Sequence, residues 1–138
     1  MIAVNGRFNI YNQVDKVDLA RVKALLGLSY WAAQRSLEDI ATSVQHSQCF
    51  SLYDQQLQIG FARIVTDYVS FAYLADVIID PEYRGQGLGK WLVETVVSDP
   101  RWQGKLLLLA TDDAHGLYQR HGFAESSKLM GMGIREQR

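Results

Sequence analysis

The stretch Arg84-Gly85-Gln86-Gly87-Leu88-Gly89-Lys90 constrains this chain more than any other. It joins an apolar, strand-like run over residues 69–79 to residues at helical spacing, namely Leu88, Trp91, Leu92, Thr95 and Val96. Pro81 closes the strand, because proline cannot donate to a sheet ladder. Asp99-Pro100 stops the helix. Beyond it, residues 105–110 form a short continuous apolar run, the pattern of a strand covered on both faces. A strand, a crossover helix and a neighbouring strand imply a parallel pair inside an otherwise antiparallel sheet. The fold class is therefore α/β, and the sheet is expected to splay where its pairing changes, which makes a natural place for a ligand.

The remaining segments fit around that unit. Residues 8–11 read as a first strand. Residues 18–28 carry Leu19, Val22, Leu25 and Leu26 at helical spacing, with Asp18 as cap and Gly27 near the end. A second helix is expected over 36–46, where Ser36 and Asp39 make a weak capping box. Between the two helices lies the aromatic link Ser29-Tyr30-Trp31-Ala32. Strands over 49–53, 57–65 and 69–79 follow through polar turns, as hairpin-connected antiparallel neighbours. Asp112-Asp113 is expected to cap a helix over 114–121, with Gly122 as its C′ residue. Residues 123–132 are expected to hold one or two last strands. The expected order is β-α-α-β-β-β-α-β-α-β, one domain over residues 1–138.

Composition narrows the function. The chain is 48% hydrophobic and 21% charged with a net charge of −1, an ordinary globular balance without the basic excess of a nucleic-acid binder. Its single cysteine, Cys49, excludes an intramolecular disulfide and reads as a small core residue rather than a nucleophile. No run approaches the ~20 apolar residues of a membrane span. Residues 1–8 lack the features of a signal peptide, so a cytoplasmic protein with no membrane partner is expected. No Cys/His spacing suggests a metal site.

The glycine-rich turn bares its backbone, and the first N–H groups of the helix after it have no internal partners. With the helix dipole they suit phosphate oxygens, and Arg84 and Lys90 add positive charge. Two familiar phosphate loops do not fit. A Walker A loop needs glycine where Arg84 stands, and the dinucleotide fingerprint needs glycine where Lys90 stands. The spacing that fits is Arg-x-x-Gly-x-Gly, on Arg84, Gly87 and Gly89. This resembles the acyl-CoA pyrophosphate loop of the GCN5-related N-acetyltransferase (GNAT) family, and Val77-Ile78-Ile79-Asp80-Pro81-Glu82-Tyr83 resembles the strand that precedes it. Downstream, the apolar run 106–110, the helix carrying Tyr118 and the pair Gly122-Phe123 resemble that family's second signature.

The resemblance implies the GNAT fold, a mixed, mostly antiparallel sheet splayed in the middle and flanked by about four helices. It implies acetyl transfer from acetyl-CoA to a primary amine of a small molecule or peptide, by direct attack in a ternary complex. By resemblance, main-chain groups of Val77, Ile78 and Ile79 pair with the pantetheine arm. One of their N–H groups stabilises the oxyanion. The N–H groups of Gly85, Gln86, Gly87, Leu88, Gly89 and Lys90 hold the pyrophosphate beside Arg84. Tyr118 matches the general acid that protonates the departing thiolate. Thr111 stands where many members have an asparagine touching the pantetheine.

The general base is less plain. The family's usual glutamate position is occupied by Tyr73. Asp76 is the only carboxylate in 69–79 and is the candidate base, against a structural role bonded to Arg63 or a neighbouring strand. His115 and His121, three residues either side of Tyr118, are alternatives. The acceptor pocket of the fold implies Tyr30, Trp31, Asp67, Tyr68 and Phe71 as substrate contacts, and pairing as a homodimer is expected by analogy. A non-catalytic acyl-CoA sensor and a partner subunit of a larger transferase stay open as other readings.

Overall fold

In the computed structural model, which describes residues 1–133, six strands form one sheet in chain order. They are β1 (Ala3–Asn5), β2 (Phe8–Tyr11), β3 (Gln48–Asp54), β4 (Leu57–Thr66), β5 (Phe71–Ile79) and β6 (Leu106–Leu108). All neighbours are antiparallel except β5 and β6, which are parallel. The helices are α1 (Leu19–Leu26), α2 (Leu37–Gln45), α3 (Leu88–Val97) and α4 (His115–Gln119). None of the described helices is long and apolar enough to cross a membrane.

Local chemistry sets the ends of α1 and α2. The Asp18 carboxylate accepts from the Arg21 N–H, and the Ser36 hydroxyl accepts from the Asp39 N–H. Each satisfies a helix donor that would otherwise have no partner. Val22, Leu25 and Leu26 of α1 then meet Ile40 and Val44 of α2 over Cys49, Phe61 and Ile78 of the sheet. The other face of the sheet packs Phe50, Leu52, Ile64 and Leu74 against Leu88, Leu92 and Val96 of α3. Trp102 is wholly buried in that second core, its indole N–H donating to the Val96 carbonyl.

A bulge in β5 exchanges the faces. Phe61 pairs with Ile78 and Arg63 with Ala75, so two steps on β4 oppose three on β5. Ala72 and Leu74 therefore face the α3 core, whereas after the bulge Val77 and Ile79 do so and Ile78 turns to the α1–α2 core. Asp76, at φ 57°, is the residue in the left-handed region that makes the exchange.

Four expectations need correction. The first strand is a hairpin, because residues 3–5 pair with 8–10. The run 105–110 is not covered on both faces: β6 is the sheet edge among the described residues, with Leu106 57% exposed. Neither Asp112 nor Asp113 caps α4; the Thr111 hydroxyl instead accepts from the Ala114 N–H. Residues 123–132 form no strand. Each error has the same source, since apolar content and polar spacing reveal a segment's character but not which edge it finds.

Gly60 is needed for close approach. A Cβ there would lie 2.8 Å from Ile79 Cδ1 and 3.1 Å from Leu52 Cβ. Gly60→Ala is expected to cost about 1–3 kcal/mol by overpacking, read as a lower midpoint in urea with unchanged slope.

Candidate active site

The sheet opens between β5 and β6. Their pairing ends at Tyr73 and Leu108, yet β5 continues to Ile79 while the chain leaves β6 toward α4. The gap is a cavity of about 90 Å³ lined by Tyr30, Trp31, residues 73–77, residues 109–111, Asp113, Ala114 and Tyr118. It opens into a wider cleft that reaches His115 and Phe123.

At the end of β5 the chain makes a 3₁₀ turn, Pro81–Tyr83, and then the glycine-rich turn. Gly85 and Gly87 stand at φ 83° and 77°, and a Cβ on either would touch nothing. Their need for glycine is conformational, not steric. Gly87 is the N-cap of α3; its carbonyl accepts from the Trp91 N–H, and no side chain caps this helix. The N–H groups of Leu88, Gly89 and Lys90 thus have no acceptor within the helix. Residues 84–87 and Lys90 are exposed, whereas the Leu88 side chain is buried in the core, so Leu88 can offer a ligand only its main chain.

The turn is clamped before it begins. Asp80 accepts from the Glu82 N–H with one oxygen, and its other oxygen lies 3.0 Å from Arg21 Nη2. Arg21 Nε also donates to the Gln58 carbonyl, and the buried Gln58 side chain accepts from the Asp18 N–H and donates to the Gly60 carbonyl. Further on, the Tyr83 hydroxyl donates to Asp54 at 2.7 Å, a bond that raises the phenol's pKa. If the turn grips acyl-CoA as the resemblance implies, Arg21→Met, which frees Asp80, is expected to raise the KM for acetyl-CoA about tenfold, the equivalent of ~1.4 kcal/mol, with kcat within about twofold. Initial rates against acetyl-CoA concentration check the split.

Asp76 is held by three donors. Arg63 Nε and Arg35 Nη1 each lie 2.6 Å from Oδ2, and the Trp31 indole N–H donates to Oδ1 at 2.9 Å. Burial pushes the carboxyl upward, but the two guanidiniums outweigh it, and the pKa falls below the ordinary aspartate range. A carboxylate so stabilised is a weaker proton acceptor. Arg63 also donates to the Ser47 hydroxyl between α2 and β3, so that turn joins the bulge, β4 and the α1–α2 link in one network.

Tyr118 lines the cavity from α4; its ring packs on the α3 core and meets Phe123 edge-on at 5.9 Å. Thr111 also lines it, with its hydroxyl holding the turn into α4. Val77 lines the cavity, while Ile78 and Ile79 lie further along β5. His115 sits in the outer cleft, 3.5 Å from Glu125. His121 lies past α4 and faces Glu94 of α3 at 3.9 Å. Tyr30 and Trp31 line the cavity, and the Tyr30 hydroxyl accepts from the Asp112 N–H across its mouth. Tyr68 and Phe71 do not line it: Tyr68 belongs to the β4–β5 turn, bonded to Gln48, and Phe71 starts β5 at the closed end of the gap. Asp67 holds the same turn, its carboxyl kept well below the usual range by bonds from the Ser70 hydroxyl and the Val69 and Ser70 N–H groups.

Sequence reasoning missed Arg35 and the Arg21–Asp80 clamp. Gln58 gave the one available signal, a polar side chain between Leu57 and Ile59 in a strand with an inward-facing pattern.

Residues 45–125 match the family model described as an acetyltransferase (GNAT) domain. GCN5-related N-acetyltransferase 2, chloroplastic, of Arabidopsis thaliana is 36% identical over 92% of this chain and 55% of its own length. Histone acetyltransferase TAP1 of Glycine max is 30% identical over 89% of this chain and 59% of its own. The chain thus spans little more than half of these two plant relatives. A crystal structure from Xanthomonas campestris pv. campestris, assigned to the GNAT family, superposes with a TM-score of 0.85 at 35% identity, covering 91% of this chain and 92% of that one. A sheet parted beside an uncapped, glycine-led helix, together with these matches, places the chain in the GNAT family of acetyltransferases.

Proposed function

We propose that this chain transfers an acetyl group from acetyl-CoA to a primary amine of a small molecule or peptide, by direct attack in a ternary complex. One observation carries the reading: the gap beyond Tyr73 and Leu108 gathers Val77, Thr111 and Tyr118 around one small cavity, with the glycine-rich turn at the end of the same strand. Acetyl-CoA would be held by the main chain of Val77, Ile78 and Ile79 and by the N–H groups of residues 85–90, beside Arg84. It supplies the activated acetyl group. Tyr118 would donate the proton that the departing thiolate takes. Tyr30 and Trp31 would wall the acceptor.

Direct attack is favoured over an acyl-enzyme because Cys49 is buried, with its thiol pushed up to about 12, mainly by burial. A thiol of that kind carries almost no thiolate at neutral pH. The acceptor named for the soybean relative is a histone, which supports an amine-bearing protein or peptide among the candidates. A cytoplasmic site of action belongs to the proposal, beside an Arabidopsis relative whose name is chloroplastic.

A second reading, a module that binds acyl-CoA without turnover, is favoured by one observation: both Asp76 oxygens are already engaged. Thiol release from acetyl-CoA, measured over a panel of primary amines, decides between them. Amine-dependent release supports transfer. Tight acetyl-CoA binding with no release above the amine-free rate supports the module.

A further inference from the structure

We propose that Arg35 is a positioning residue for acetyl transfer: through the buried Asp76 carboxylate it seats the Trp31 indole as a wall for the acceptor in this cleft. The inference rests on the acetyl-transfer reading and deepens it by naming what sets the place of the acceptor.

Residues 27–34, between α1 and α2, are turns and bends. The backbone of this link is pinned near its start and its end. The Ser29 hydroxyl donates to the Leu26 carbonyl and accepts from the Ala32 N–H. Lys23 of α1 donates to the Arg35 carbonyl at 2.7 Å. The Trp31 side chain is fixed separately, by its indole N–H, which donates to Asp76 Oδ1 at 2.9 Å while the residue lines the cavity. Tyr30 meets Trp31 edge-on at 5.0 Å, and its hydroxyl accepts from the Asp112 N–H. The seat of Trp31 therefore bears on the aromatic wall out to the mouth.

Asp76 stands at φ 57° on the bulge of β5, directly before Val77, and both residues line the cavity. The strand proposed to hold the thioester and the wall proposed to face the acceptor thus meet at one side chain. Two guanidiniums share its Oδ2 at 2.6 Å, and they arrive from different places. Arg63 lies on β4, opposite Ala75, and binds Asp76 from within the sheet. Arg35 arrives from the link and draws that segment onto the bulge. The Asp76 side chain is only 2% exposed, so this charge-assisted bond is weakly screened by solvent. Removing Arg35 leaves Asp76 paired with Arg63. What is lost is the tie between link and bulge.

A misplacement of about 1 Å at a reacting centre can cost about 10²-fold in rate. Arg35→Met keeps the apolar stem and removes the guanidinium. The test amine is whichever of butylamine, an unblocked dipeptide and an Nα-blocked lysine amide the parent acetylates fastest. With it, kcat/KM for the amine should fall about 10–100-fold in Arg35→Met, and the KM for acetyl-CoA should stay within about twofold. That is the reverse of the split expected for Arg21→Met. Trp31→Phe leaves both ion pairs in place and should show the same split. The two substitutions together should cost no more than about threefold beyond either alone, because they break one path. In a ¹⁵N-labelled chain, the Trp31 indole N–H resonance is identified by its loss in Trp31→Phe. It should shift in Arg35→Met, while those of Trp91 and Trp102 stay. Arg35→Met should melt within about 10 °C of the parent.

Parental kinetics in Trp31→Phe, losses that multiply in the double variant, or an unmoved Trp31 resonance in Arg35→Met overturns the inference alone. So does an Arg35→Met chain that no longer folds, which would make Arg35 a residue of stability. Acetyl-CoA binding by the parent without turnover of any of the three amines overturns the acetyl-transfer reading, and the inference falls with it.

Discussion

Tyr118→Phe should lower kcat by about 10²–10⁴-fold, the usual worth of a positioned general acid. The KM for acetyl-CoA should stay within about threefold, because in the proposed mechanism the hydroxyl acts on the leaving sulfur and not on the carrier's grip. The substitution is well suited to its purpose. The ring of Tyr118 packs against the α3 core and meets Phe123 edge-on, and phenylalanine keeps both contacts. The fold should therefore lose less than about 1 kcal/mol, and a thermal melt beside the kinetics separates lost chemistry from lost structure. Turnover at the parental rate across the pH range would remove Tyr118 from the chemistry and leave it as packing.

Asp76→Ala should destabilise the fold by about 3–5 kcal/mol, because it strands two guanidiniums that a buried carboxylate had balanced. Alanine at φ 57° adds about 1 kcal/mol of backbone strain, which asparagine largely avoids. Against a total of roughly 5–15 kcal/mol this is a large share, equivalent to a melting point lower by ~10–20 °C. Asp76→Asn should fall less far, and comparing the two divides charge from strain.

The pH dependence follows from the direction of the shift. The folded pKa of Asp76 lies below its unfolded value, so its contribution is present above about pH 4 and is lost as pH falls through the folded pKa. Asp76→Asn should flatten that acid loss. Its effect on the pH–rate profile is the test of the base role: an unchanged profile leaves Asp76 as the residue that positions Trp31. Equal stability of parent and Asp76→Ala at pH 7 would show that the arginines find other partners and that the network is not a keystone.

Much of the fold was legible because its signals are local. The spacing of Leu19, Val22, Leu25 and Leu26, with Asp18 before them, specifies α1 whatever surrounds it, since a cap and an apolar stripe act within one helix. Gly85, Gly87 and Gly89 announced a turn with bare backbone, and the structure puts the first two at positive φ, a conformation glycine takes cheaply. The parallel pair followed from a helix lying between two apolar runs, and with it the splay.

The site was only half legible. Val77, Thr111, Tyr118, Tyr30 and Trp31 were named from motif and order, and all five line the cavity. Asp76 was named for its chemistry, yet its state depends on Arg35, which lies 41 residues away and reaches it only once the α1–α2 link folds over the bulge. Tyr68 and Phe71 look alike to a sequence and fall at the closed end of the gap.

By itself the sequence determined the elements from β2 to α4, their order and the glycine-rich turn, because those rest on interactions within a few residues. Only the tertiary structure decided which face each side of the β5 bulge presents and whether the one carboxylate in β5 is free or neutralised. Those outcomes are set by partners brought together across the fold, and Coulomb attraction and desolvation act through space and not along the chain.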